Sequence, residues 1–113
     1  MRPSLLIPFL LLAGCVTATP SDAPPGTDRT VEGTVTALDF DPMAYDADGI
    51  VTLETNDGEV VRVFLPARSN LCAATYDDWA DLEIGSRAAA RGAVVEEGAV
   101  RPCERTEHYF RLR

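Results

Sequence analysis

Residues 50–65 read Ile50-Val51-Thr52-Leu53-Glu54-Thr55-Asn56-Asp57-Gly58-Glu59-Val60-Val61-Arg62-Val63-Phe64-Leu65. Two β-branched runs, 50–55 and 60–65, flank the triplet Asn56-Asp57-Gly58. These three residue types accept positive φ, so the triplet marks a tight hairpin turn between two strands. With a side-chain period of two, Val61, Val63 and Leu65 share one face, and Val60, Arg62 and Phe64 the other. Arg62 directs its face toward solvent. Pro66 lacks an amide donor and ends the second strand.

The pattern continues on both sides of the hairpin. Upstream, Val31, Gly33, Val35 and Ala37 alternate with Glu32, Thr34 and Thr36, which predicts another strand. Downstream, Tyr76, Trp79 and Leu82 recur every three residues behind Thr75. Asp78, three residues after Thr75, completes a capping-box pattern. Asp77, Asp78 and Asp81 suit the positive end of a helix, and Gly85 suits its stop. One short helix is predicted here. Residues 87–95 alternate again, with Ala88, Ala90, Gly92 and Val94 inward and Arg87 and Arg91 outward. Glu97-Gly98 turns the chain. At the end, Phe110 and Leu112 face inward with His108, which reads as a structural histidine, and Tyr109, Arg111 and Arg113 face outward. The fifth strand falls at 99–101, at 107–112, or at both.

The order is therefore strand, strand, strand, short helix, strand, strand over residues 29–113, an all-β class. It resembles the OB-fold, a small five-stranded Greek-key barrel with a helix between strands 3 and 4. A small open β-sandwich or a different short barrel satisfies the same order. The chain has 113 residues, 46% hydrophobic and 25% charged. Those values fit one small globular domain and exclude a disordered acidic tail, a collagen-like repeat and a polytopic membrane protein.

The N-terminus reads as an address. Met1-Arg2-Pro3-Ser4 is a short basic start, and residues 5–12 are apolar apart from Pro8. That run is shorter than the roughly 20 residues a bilayer span needs. It fits a secretory signal. Leu12-Ala13-Gly14-Cys15 resembles the lipobox of bacterial lipoproteins. The resemblance implies that residues 1–14 are a signal peptide, that the Cys15 thiol receives a diacylglyceryl group, and that the new amine is acylated. Several acyl chains make attachment to the lipid bilayer effectively permanent. Val16, rather than Asp, after the Cys resembles members sorted to the outer membrane, facing the periplasm. Residues 15–28, with Pro20, Pro24, Pro25 and Gly26, read as the lipidated Cys and a tether with a reach of roughly 20 Å as a flexible chain and about 45 Å pulled straight.

After lipidation of Cys15, Cys72 and Cys103 remain. In an exported domain of this size they are expected to form a structural disulfide. No Cys-x-x-Cys spacing points to redox chemistry.

The loop after the first strand carries Asp39, Asp41, Asp46 and Asp48. Four carboxylates within ten residues suit Ca²⁺, which takes six to eight oxygens. The rival reading is a solvated turn of Asp residues. Phe40, Met43 and Tyr45 in this loop either face a partner or plug a barrel mouth. The outward set Arg87, Arg91, Tyr109 and Arg111, with Arg113, offers an anionic surface or acidic partner a place to dock, or pairs with acids on neighbouring strands. Ten arginines, no lysine and eighteen acids give a net charge of −8. Residues 29–85 hold three arginines against twelve acids, and residues 86–113 six against four. An acidic exported domain argues against nucleic acid, which needs a basic groove. One His and no nucleophile motif argue against catalysis, and no cofactor is expected. The sequence thus predicts a membrane-anchored, non-catalytic binding or assembly module of the cell envelope with a basic envelope protein as partner. A Ca²⁺-binding envelope protein is the alternative.

Overall fold

The computed structural model describes residues 23–113. The expected signal peptide, residues 1–14, and Cys15 lie outside them. Seven strands form: β1 Asp28–Asp39, β2 Gly49–Glu54, β3 Val60–Leu65, β4 Thr75–Tyr76, β5 Arg87–Glu96, β6 Ala99–Arg101 and β7 Tyr109–Leu112. Among the described residues no helix is long and apolar enough to cross a membrane.

The hairpin forms as its turn chemistry requires. β2 and β3 pair antiparallel from Gly49↔Leu65 to Glu54↔Val60. Thr55 and Glu59 close the turn through the bond from the Thr55 amide to the Glu59 carbonyl. Val61, Val63 and Leu65 are buried together with Val51 and Leu53.

β1 is long because it serves two neighbours. Residues 28–34 pair with β5, and residues 34–39 pair with β2. β3 closes on β6 in parallel, and β6 returns to β5 in antiparallel. The circuit β1-β2-β3-β6-β5-β1 is a closed five-stranded barrel, with β7 and β4 added beside β5. Residues 99–101 thus complete the barrel, and residues 109–112 form a separate added strand.

Two glycines make this closure compact. A Cβ on Gly33 would lie 2.4 Å from the Glu54 carbonyl oxygen. A Cβ on Gly92 would lie 2.5 Å from the Pro102 nitrogen. Each contact is with backbone, so no side chain can swing aside. Gly33→Ala should therefore destabilise by roughly 1–3 kcal/mol, as over-packing does. The urea midpoint reads this out, and an unchanged midpoint would mean that β1 and β2 do not approach this closely.

The core holds Val31, Val35, Val51, Leu53, Val61, Val63, Leu65, Ala88, Ala90, Val94, Val100 and Phe110. Within β1, Ala37 is exposed and Leu38 packs on the core. The cause is a register shift between Val35 and Ala37, which flips the face of every later residue in β1.

The expected helix after Thr75 does not form. The Thr75 and Asp77 amides donate instead to the His108 and Phe110 carbonyls, holding 75–77 extended against β7. Asp78 caps only a 3-10 turn, Trp79–Asp81, by accepting from the Ala80 amide. Tyr76 lies in β4 and only Trp79–Asp81 turn, so the three-residue spacing of Tyr76, Trp79 and Leu82 does not belong to one helix. Leu82 is buried and reaches the core without a helix.

Residues before 29 also join the barrel. The Gly26 amide donates to the Val94 carbonyl, and the Val94 amide to Thr27. Ala23 packs against the core.

Candidate functional site

Four groups of polar side chains are built on this frame. The first is buried. His108 is 1% exposed and lies under the start of β1. Its Nδ1 accepts from the backbone amides of Cys103 (3.2 Å) and Arg105 (3.4 Å). The ring proton therefore sits on Nε2 and donates to Asp28 Oδ1 at 3.0 Å. Arg91 and Arg105 meet the other Asp28 oxygen at 3.5 and 3.2 Å. The histidine is a structural clasp between the first strand and the loop before β7. With both ring nitrogens engaged, it offers no base to a substrate.

The hydrogen bond from His108 holds the Asp28 carboxyl below the usual carboxylate range. Burial opposes this, and the positive charges of Arg105 and Arg91 add to it. A carboxylate with a lowered folded pKa stabilises the fold above its unfolded value and loses that contribution as pH falls through the folded value. The account therefore predicts a stability loss below about pH 4. Asp28→Asn should lower the urea midpoint at pH 7 and flatten this acid limb. Parallel acid limbs in the two proteins would contradict the assignment.

The Asp loop is the second group. Asp39 accepts from the Asp41 amide, an Asx-type turn. Asp46 pairs with Arg68 at 2.9 Å, and Asp48 with Arg101 at 3.1 Å. The four carboxylates do not converge. Among the described residues no three His, Cys, Asp or Glu side chains are grouped to hold a metal ion. Phe40 and Met43 pack on the core over Gly49, whereas Tyr45 is 87% exposed. Arg68, Arg101, Asp46, Asp48 and Leu71 line a cavity of about 250 Å³ beside Cys72 and Cys103. Its charged side chains pair with one another. Cys72 and Cys103 form a disulfide with Cα atoms 4.6 Å apart.

The third group is the outward face of β1, β5 and β7. Arg87 contacts Thr34 Oγ1, Asn56 Oδ1 and Glu32, and Arg91 donates to Thr30 Oγ1. Arg113 also meets Glu32, at 3.8 Å. Arg111 stacks over the Tyr109 ring at 3.9 Å. Of the residues expected to bind a partner, Arg87, Arg91, Tyr109 and Arg111 thus share one surface, while Phe40 and Tyr45 stand apart from it.

The fourth group was not foreseen. Ser69, Asn70, Tyr76, Asp77, Asp78 and Trp79 line an open cleft of about 350 Å³. Tyr76 and Trp79 meet edge to face, 5.5 Å between ring centres. The Tyr76 hydroxyl donates to the Pro102 carbonyl, and burial pushes its phenol up to about 12, so it remains a donor. Asp77 accepts from the Leu112 amide, which fixes the floor of the cleft to β7. Among the described residues, Asp77, Asp78 and Asp81 have no ion-pair partner, although every arginine except Arg111 has one. An aromatic wall beside unpaired carboxylates suits an ammonium or guanidinium group. In the sequence these aromatics read as the apolar side of a helix. The run Tyr76-Asp77-Asp78-Trp79 itself was the available signal.

Compared with known proteins, the chain matches no family model and no curated protein.

Proposed function

We propose that the chain is a lipid-anchored, non-catalytic binding module of the bacterial cell envelope whose Tyr76–Trp79 cleft receives a cationic segment of a basic partner protein. The observation that carries this reading is the distribution of charge. The ion pairs engage only six of the seventeen carboxylates that follow Asp22, while using eight of the nine arginines that follow Arg2. The surplus is negative, and two of its members line the cleft beside the only tryptophan in the chain.

The Leu12-Ala13-Gly14-Cys15 motif supports acylation at Cys15, with the outer membrane facing the periplasm as the address. The Cys72–Cys103 disulfide fits an oxidising compartment outside the cytoplasm. Support for an OB-like barrel comes from the circuit of five strands closed by the parallel β3–β6 pair. OB-like barrels commonly serve as binding scaffolds. The burial of His108 supports a non-catalytic role.

A photo-crosslinking residue at Asn70, on the cleft rim, tests the reading in intact cells. It should capture a basic envelope protein, and Asp77→Asn with Asp78→Asn should reduce the yield. Capture that is indifferent to these two carboxylates would count against the cleft. Radiolabelled palmitate should enter the wild type and not Cys15→Ser.

A further inference from the structure

The outward face of β1, β5 and β7 carries the opposite charge from the rest of the chain. Its cross-strand rows are Thr30–Arg91–Tyr109 and Glu32–Ala89–Arg111. The Arg113 amide donates to the Arg87 carbonyl, which extends a third row from Thr34 through Arg87. Ala89 points outward in the middle of this face, yet it is buried under its neighbours. Of the five arginines there, those at 87, 91, 105 and 113 share two carboxylates, Asp28 and Glu32, and Arg111 meets neither. Asp77 marks the border on the β4 side through its bond to Leu112. The face is a shallow cationic platform, and Asn56 of the β2–β3 turn meets it at Arg87.

The path of the chain says what this platform meets. The N-terminal segment joins the barrel through Gly26 and Thr27 beside Val94, at the Asp28–Arg91 end of the same face. Seven residues separate Cys15 from Ala23. Even fully extended, they span less than about 30 Å. A short linker raises the local concentration of surface facing the platform into the millimolar range, so a weak contact suffices.

We propose that this platform docks the barrel on the anionic phospholipid headgroups of the membrane that holds its acyl chains. The proposal rests on the lipid-anchored reading above. Each arginine near an anionic surface strengthens binding about fivefold. Contact on this face also fixes how the barrel sits on the membrane, with Arg111 and Tyr109 against the headgroups.

The test uses the full chain carrying Cys15→Ser, so that no acyl group contributes. Co-flotation is measured with vesicles of phosphatidylcholine and of equimolar phosphatidylcholine and phosphatidylglycerol. Salt is held near 0.1 M, where a Debye length of about 10 Å screens the remote acids. The expected result is an excess of binding to the phosphatidylglycerol vesicles. Arg111→Gln with Arg113→Gln should weaken it about 30-fold, and Arg68→Gln, an arginine outside the face, should leave it unchanged. Equal binding to both vesicles would overturn the proposal, as would equal effects per charge at 68 and at 111 and 113. Palmitate labelling of the wild type reports separately on the anchor. Labelling with no phosphatidylglycerol preference rejects the platform alone, and preference without labelling rejects the anchor and retains the platform's affinity.

Discussion

Replacing Cys72 and Cys103 together by serine should cost roughly 3–4 kcal/mol of stability. The disulfide closes a loop with a sequence separation of 31. In the chain-entropy account, opening it frees the unfolded chain by about that amount. A domain of this size is stable by only about 4–13 kcal/mol, so the loss is a large share of the total. The local consequence is more specific. The Ala73 and Ala74 amides donate to the Cys103 carbonyl, and the Cys103 amide to His108. The bridge therefore holds the segment that walls the cleft. The urea midpoint should drop, and amide exchange at Ala73 and Ala74 should rise more than at Val61 or Val63. An unchanged midpoint would show that the other contacts define this segment without the bridge.

Phe110→Ala should cost about 3–5 kcal/mol. Phe110 is 0% exposed and stands opposite Ala90. The inward residues of β5 here are Ala88 and Ala90, whose small side chains leave room that the phenyl ring fills. β7 lies outside the closed circuit but supplies one of the largest fully buried side chains of the core. Phe110→Leu, which retains most of the volume, should cost much less. A loss under about 1 kcal/mol for Phe110→Ala would mean a site that collapses easily, contrary to tight interior packing.

What the sequence carried was local. The hairpin at 50–65 was readable because a period of two and a turn triplet coincide within sixteen residues. The same period gave the faces of β5, with Arg87 and Arg91 outward. The platform residues were therefore visible in advance, but their partners were not. Asp28 and His108 are 80 positions apart in sequence and meet only when the barrel closes. The shift after Val35 leaves no mark in the alternation of residues 31–37. The cleft was hidden for a similar reason. Its Tyr76 and Trp79 have a spacing that serves a helix or a 3-10 turn equally. The choice between them is made by the carbonyls of His108 and Phe110, more than 30 residues away. The Asp loop read two ways, as a Ca²⁺ loop or as a solvated turn. Its composition suited Ca²⁺, but Arg68 and Arg101 come from distant segments to pair with Asp46 and Asp48.

The central claim is that the cleft beside Trp79 takes a cationic segment, and Trp79 is itself the reporter because the chain has one tryptophan. Hexa-arginine titrated into the protein should change the tryptophan emission in a saturable way. Hexaglutamate should not, and added salt should weaken the response. Asp77→Asn with Asp78→Asn keeps the oxygen acceptors that serve the Leu112 and Ala80 amides. It removes only charge, and the response should fall at least tenfold in affinity, about 1.4 kcal/mol. An emission that ignores hexa-arginine, or responds equally in the double variant, would contradict the account.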